Sequence, residues 1–87
     1  MDIKSWKIML AVDDYGSFTR VGAELGYTQS GITQTMKNLE KKVGFPLYIK
    51  DHHGIKLTNE AKSLIPAIRA LLNADEVIHQ EIAALNG

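Results

Sequence analysis

The stretch Ser17–Lys42, SFTRVGAELGYTQSGITQTMKNLEKK, reads as two short helices joined by a tight glycine turn, and the rest of the chain is arranged around it. On the first helix Phe18, Val21, Gly22 and Leu25 recur at i, i+3, i+4 and i+7, one face of a 3.6-residue period. Gly22 has no side-chain bulk, so a second helix can cross close by. Gly26 supplies the permissive backbone of a sharp helix-to-helix turn, Tyr27 is expected to plug the corner, and Thr28 is a good N-cap for the helix after it. That second helix, 29–43, has two opposed faces. Ile32, Met36, Leu39 and Val43 form an apolar stripe, while Ser30, Gln34, Lys37 and Lys41 run at the same spacing almost opposite it. Such a helix is anchored by its back and offers its front.

That front carries hydroxyls, a carboxamide and ammonium groups, with Glu40 off the line. These groups match base edges and phosphates better than a protein partner. A small residue, a glycine four positions on and an aliphatic six positions later (Gly22, Gly26, Ile32) is the packing signature of a DNA-binding helix-turn-helix, whose second helix enters the major groove N-terminus first. On that docking Gln29, Ser30, Thr33 and Gln34 face bases. Gln pairs with adenine N6 and N7, and Thr contacts a thymine methyl. Thr28, Lys37, Lys41 and the helix N-terminus hold phosphates, with Arg20 on the helix before as a further backbone contact.

Length confines the chain to one small domain, because 87 residues bury only about 60–65% of their unfolded surface and leave no room for a second core. Cysteine is absent, which removes disulfides and thiolate metal sites and fits a reducing cytoplasm. No apolar run approaches the roughly 20 residues of a membrane span, and MDIKSWK at the N-terminus lacks the apolar core of a signal peptide. The expectation is an intracellular, cytoplasmic protein without membrane contact. Formal charge sums to zero, but it is unevenly spread. From Arg20 to Lys62 seven bases stand against four acids, whereas the two ends carry three bases against six acids. A locally basic module with acidic flanks binds phosphate with less long-range steering than a uniformly basic domain.

Upstream, Asp2 caps a helix in which Ile3, Trp6, Met9, Leu10 and Val12 repeat at three- and four-residue steps until Tyr15 and Gly16 end it. Downstream, Gly44 is placed as a C-cap and Pro46 forbids continuation. Leu47-Tyr48-Ile49 and Ile55-Lys56-Leu57 are short β-prone runs separated by Lys50, Asp51, His52, His53 and Gly54, which reads as a hairpin wing over 47–57. Lys50, His52, His53 and Lys56 are expected near its tip, against phosphates or the adjacent minor groove. Two neighbouring histidines without a third ligand make no zinc site, so no metal is expected. The predicted class is therefore mainly α: a winged helix-turn-helix of three helices plus a β-hairpin over 1–57, then a long linker or dimerisation helix over 58–87.

That last helix is capped by Thr58, and about 28 residues at 1.5 Å each make a rod of ~42 Å, longer than so small a core covers. Leu57, Ala61, Leu64, Ile68, Leu71, Ile78, Ile82 and Leu85 step by fours and threes with Asp75 breaking the rhythm, and Ile65 and Leu72 widen the stripe. The surplus apolar face calls for a second copy of the same helix in a twofold homodimer, with Ala61 to Leu85 of this set as its interface. A further domain beyond Gly87 is the alternative cover, since the sequence stops where a domain boundary would fall. Pro66 deletes one intrahelical hydrogen bond and predicts a bend.

Over its whole length the chain resembles the N-terminal winged helix-turn-helix and linker helix of the bacterial LysR-type transcriptional regulators. The resemblance is carried by the helix opening at Asp2, by GSFTR (Gly16 to Arg20), by the Gly26-Tyr27-Thr28-Gln29-Ser30 turn, by Leu39-Glu40, by Gly44, and by Leu47-Tyr48 followed by Leu57-Thr58, in register without a gap from Met1 to Thr58. It implies a dimer of antiparallel linker helices, an interrupted inverted repeat in double-stranded DNA as the target, and a separate C-terminal domain of periplasmic-binding-protein fold that senses a small effector. This chain departs from the family where DNA is read. Gln34 stands where arginine is usual, Ser30-Gly31 replaces a proline-containing start, Lys50 replaces a wing arginine, and Ala61 replaces a glycine. Without arginine's bidentate fork at position 34, a preference for adenine at the matching base is expected.

Two classes of function remain at this level: a sequence-specific DNA-binding dimer, or a winged-helix interaction module without specific DNA binding. No nucleophile, general base and oxyanion donor can be assembled, so neither an enzyme nor a cofactor is expected.

Overall fold

Side-chain caps and left-handed glycines punctuate the helices of the computed structural model, which describes residues 2–87. Helix α1 (Ile3–Tyr15) begins where the Asp2 carboxylate accepts the Ser5 N–H at 2.8 Å, a bond that holds this carboxyl below its ordinary range, and ends at Gly16 with φ 66°. Helix α2 (Phe18–Leu25) is capped by Ser17 Oγ, which accepts the Arg20 N–H at 3.2 Å. Helix α3 (Gln29–Val43) is capped by Thr28 and stops at Gly44, and Lys41 and Lys42 in its last turn sit favourably against the helix dipole. Strands β1 (Tyr48–Asp51) and β2 (Gly54–Leu57) form an antiparallel hairpin, and α4 (Asn59–Leu85) closes the chain. This is the expected winged helix-turn-helix with a long terminal helix.

The core lies where α1, α2 and α3 meet the hairpin and the first half of α4. Met9, Val12, Val21, Ile32, Met36, Leu39 and Leu47 are fully buried, each such side chain contributing about 1.5–3 kcal/mol relative to exposure. The stripe of α3 faces this core as its spacing requires, with Val43 half-buried at its end. Two sequence expectations fail at the α2–α3 corner. Leu25 and Tyr27 are 42% and 38% exposed instead of packed. The turn closes by backbone, the Tyr27 N–H donating to the Gly22 carbonyl at 2.8 Å, so no aromatic plug is needed and the Tyr27 ring instead lies under the Lys4 ammonium. On α1, Ile8 joins Trp6, Met9 and Val12 in the core, a position the stepwise reading passes over.

The hairpin is bound to the helices at several backbone points. The Ile55 N–H donates to the Gly16 carbonyl at 2.9 Å, the Leu47 N–H donates to Glu40 Oε2 at 2.8 Å, and the Thr58 N–H donates to the Leu47 carbonyl at 3.0 Å. Thr58 Oγ1 donates to the Pro46 carbonyl and accepts the Ala61 N–H, so one buried hydroxyl fastens the hairpin base to the start of α4. The strands also run further than the sequence indicates, Asp51 pairing with Gly54, which leaves only His52 and His53 as the tip. The positive φ of this corner falls on Gly54 (117°). A Cβ there would lie 2.8 Å from the Gly16 carbonyl, so glycine also permits the wing's close approach.

Helix α4 continues through Pro66 and carries the molecule to an extent of 50 Å along its long axis against 26 and 20 Å across. Ala61 (0% exposed) and Ile68 (4%) are core residues of this chain, which corrects their assignment to a dimer interface: α4 packs against α1 and β2, and both side chains are buried within the chain. Leu64, Ile65 and Leu72 are half-buried against the same core, while Leu71, Val77, Ile78, Ile82 and Leu85 are exposed.

Candidate nucleic-acid interface

The buried ridge of α3 fixes which of its residues face outward. Ser30, Gln34, Lys37 and Lys41 are all exposed, and they form one line along the helix by spacing alone. Beside that line the side chains bridge one another. Gln29 Nε2 donates to Thr33 Oγ1 at 3.1 Å, and the Thr33 hydroxyl donates to the Gln29 carbonyl at 3.1 Å. Gln34 Nε2 donates to Asn38 Oδ1 at 2.9 Å, a residue to which the sequence reading gives no role. Thr28 Oγ1 accepts the Gly31 N–H at 3.0 Å and lies 3.3 Å from Ser30 Oγ, so its first duty is to cap α3.

The wing stands beside this helix. The Lys37 ammonium lies 5.9 Å from the centre of the Tyr48 ring, and Tyr48 meets Phe18 edge to face at 4.9 Å. A hollow of about 160 Å³ between the start of α2 and the hairpin is lined by Ser17, Thr19, Gln29 and Lys50 among others. It brings together one end of the recognition helix and the wing lysine. Ser17 and Thr19, to which the sequence gives no site role, line it too, both inside GSFTR at the start of a helix.

Strand register separates the two wing lysines. Lys50 pairs with Ile55 and Lys56 with Ile49, so alternation places Lys50 on the α2–α3 side of the hairpin and Lys56 on the other. Lys56 borders instead a depression with Asn59, Glu60 and Lys62. The expected tip cluster of Lys50, His52, His53 and Lys56 is thereby divided, because both lysines belong to paired strand positions. His52 and His53 occupy the corner itself with ring centres 4.0 Å apart, and Asp51 Oδ1 accepts the His53 N–H at 2.8 Å. Arg20 is exposed on α2 with its guanidinium 5.4 Å from the Tyr15 ring, and Lys41 is exposed near the end of α3.

Charge on this side is uncompensated. Among the described residues the only ion pair within 4 Å is His79 with Asp75, on the distal part of α4. The cationic groups of Arg20, Lys37, Lys41 and Lys50 therefore have no described carboxylate oxygen within 4 Å. Among the described residues no helix is long and apolar enough to cross a membrane.

Comparison with known proteins gives a consistent result. The sequence model of the family described as "Bacterial regulatory helix-turn-helix protein, lysR family" matches residues 3–62. An uncharacterised HTH-type transcriptional regulator of Bacillus subtilis (strain 168), YvbU, is 31% identical over 88 aligned positions, covering 100% of this chain and 30% of its own length. The HTH-type transcriptional regulator CzcR of Bacillus anthracis is 31% identical over 78 positions, covering 88% of this chain and 27% of its own. The chain thus spans about 30% of the length of the curated relatives it matches. Among solved structures, the crystal structure of a CbnR_DBD–DNA complex superposes with a TM-score of 0.89 at 25% identity, covering 100% of both chains.

Proposed function

The chain belongs to the lysR family of bacterial regulatory helix-turn-helix proteins, and from that premise we propose that it is the sequence-specific double-stranded-DNA-binding head of a bacterial transcriptional regulator acting in the cytoplasm. The observation that carries this is the division of α3 into a buried ridge and an exposed face of carboxamides, hydroxyls and unpaired lysines. Helix α3 enters the major groove, where Gln29, Ser30, Thr33 and Gln34 meet base edges. Lys37, Lys41, Arg20 and Lys50 neutralise phosphates, and the His52-His53 corner lies at the backbone or minor groove. The likeness to CbnR_DBD in a DNA complex supports the same docking.

Residues 1–57 form the reading head and 58–87 the linker that pairs two heads. Leu71, Val77, Ile78, Ile82 and Leu85 extend an exposed apolar stripe along a helix whose first half alone is covered. A twofold partner through this stripe places two heads on one duplex, and an interrupted inverted repeat is the matching target. Sensing of a small effector belongs to a C-terminal domain of the longer protein, since this segment corresponds to under a third of its relatives.

Selection of bound duplexes from a random pool tests the reading. The expected outcome is two related half-sites in opposite orientation, separated by about one helical turn of 34 Å or a multiple, with affinity falling log-linearly as salt rises. Equal binding of selected and random duplexes at every salt concentration would refute it and leave a winged-helix interaction module.

A further inference from the structure

Asn38 is exposed in the middle of α3, asparagine is a poor helix former, and among the described residues the one hydrogen bond of its side chain is the 2.9 Å bridge from Gln34 Nε2. We propose that Asn38 is a positioning residue for base choice: by taking one amide hydrogen of Gln34 it leaves that carboxamide with the donor and acceptor set of an adenine reader. The inference rests on the proposed docking of α3 and goes beyond it in naming the group that fixes how Gln34 is presented.

Hydrogen-bond valence supplies the reason. A glutamine side chain has two N–H donors and one carbonyl acceptor. Adenine offers the major groove an N6 donor and an N7 acceptor, so it needs the carbonyl and a single N–H. Guanine offers two acceptors, O6 and N7, and calls for two donors. With one hydrogen committed to Asn38 Oδ1, Gln34 keeps Oε1 and one N–H, which satisfies adenine and falls short for guanine. The four-residue spacing also holds the carboxamide over one turn of helix, so less side-chain freedom is lost on binding. A parallel bridge operates one step earlier on the helix. The only hydrogen of the Thr33 hydroxyl goes to the Gln29 carbonyl while its oxygen accepts from Gln29 Nε2. Thr33 therefore has no hydrogen to offer a base, and its methyl group is what remains for a thymine.

The test compares the wild-type chain with Gln34→Ala, Asn38→Ala and Asn38→Asp by random-pool selection at one salt concentration, with affinity for a random duplex and the melting temperature measured alongside. Gln34→Ala identifies the base position that Gln34 reads. At that position Asn38→Ala is expected to lower the preference for adenine by about 2- to 10-fold, with the other positions unchanged and the melting temperature equal to or above that of the wild type. Asn38→Asp keeps an acceptor and cannot donate, so adenine stays first in rank there even though the added negative charge weakens binding to every duplex. Full retention of the adenine preference in Asn38→Ala overturns the proposal, as does an Asn38→Asp variant that loses the preference to the same degree. A wild-type chain that selects sequence, with no change at any position in Gln34→Ala, overturns it too. A wild-type chain with no sequence preference at all would refute the docking itself, which separates the two failures.

Discussion

Glu40 Oε2 accepts the backbone N–H of Leu47 at 2.8 Å, linking the last turn of α3 to the residue that opens the wing. The carboxylate bridges a glycine-proline bend that has no regular structure of its own, and Leu47 beside it is fully buried. One acidic residue near the recognition face thus serves architecture.

Replacing Glu40 with Ala strands a part-buried N–H, and a lost bond to a charged acceptor of this kind costs about 1.5–3 kcal/mol. Glu40→Gln retains an amide oxygen as acceptor and is expected to lose less. Urea denaturation of the two variants gives the comparison, and equal losses would show that the Leu47 bond is not what Glu40 contributes.

Gly22 and Gly26 are expected to fail differently. A Cβ at Gly22 would lie 2.6 Å from the Tyr27 carbonyl oxygen and 3.3–3.4 Å from backbone of Thr28 and Gln29, so Gly22→Ala must displace the chain that leads into α3. At Gly26 nothing lies within 4 Å and only the left-handed φ of 81° is unfavourable for alanine, a cost of about 1–2 kcal/mol. Both variants melt earlier. At temperatures where each is fully folded, Gly22→Ala loses DNA affinity and Gly26→Ala keeps it, as a binding titration on the selected duplex will show.

Salt titrations resolve the wing. Lys37→Ala and Lys50→Ala each lower the slope of log affinity against log salt by about one unit. Lys56→Ala leaves the slope unchanged, because its strand position turns it to the opposite side of the hairpin from Lys50. Equal slopes for Lys50→Ala and Lys56→Ala would contradict that division.

The two ends of α4 separate folding from pairing. Ile82→Glu places a charge in the exposed stripe and is expected to give a folded monomer in sedimentation experiments, with an unchanged far-ultraviolet helix signal at low temperature. Ile68→Glu buries an unpaired carboxylate at a site 4% exposed, a penalty of several kcal/mol that unfolds a domain of this size. A dimeric Ile82→Glu would move the interface elsewhere.

Much of this was legible because periodicity and punctuation agree: glycines at 16, 26 and 44 end the three helices, and the Ile32-Met36-Leu39 ridge fixes the outward face of α3. What the sequence concealed depends on tertiary partners. Ala61 and Ile68 belong to the same apolar rhythm as Ile82, and only the position of α1 and β2 decides that the first two are covered within the chain. Lys50 and Lys56 look equivalent until register assigns them opposite faces. Leu25 and Tyr27 look like packing residues, but a backbone bond to Gly22 closes their turn first.

An isolated two-stranded hairpin is at best marginally stable in water, and this one is joined to the α1–α2 corner through the Ile55 amide on the Gly16 carbonyl. Its persistence is therefore borrowed from the helices. The Ile55 amide should exchange with deuterium as slowly as the amides of Val21 and Met36, whereas the tip amide of His52 exchanges early. Fast exchange at Ile55 alone would reveal a flap that opens while the rest of the molecule remains intact.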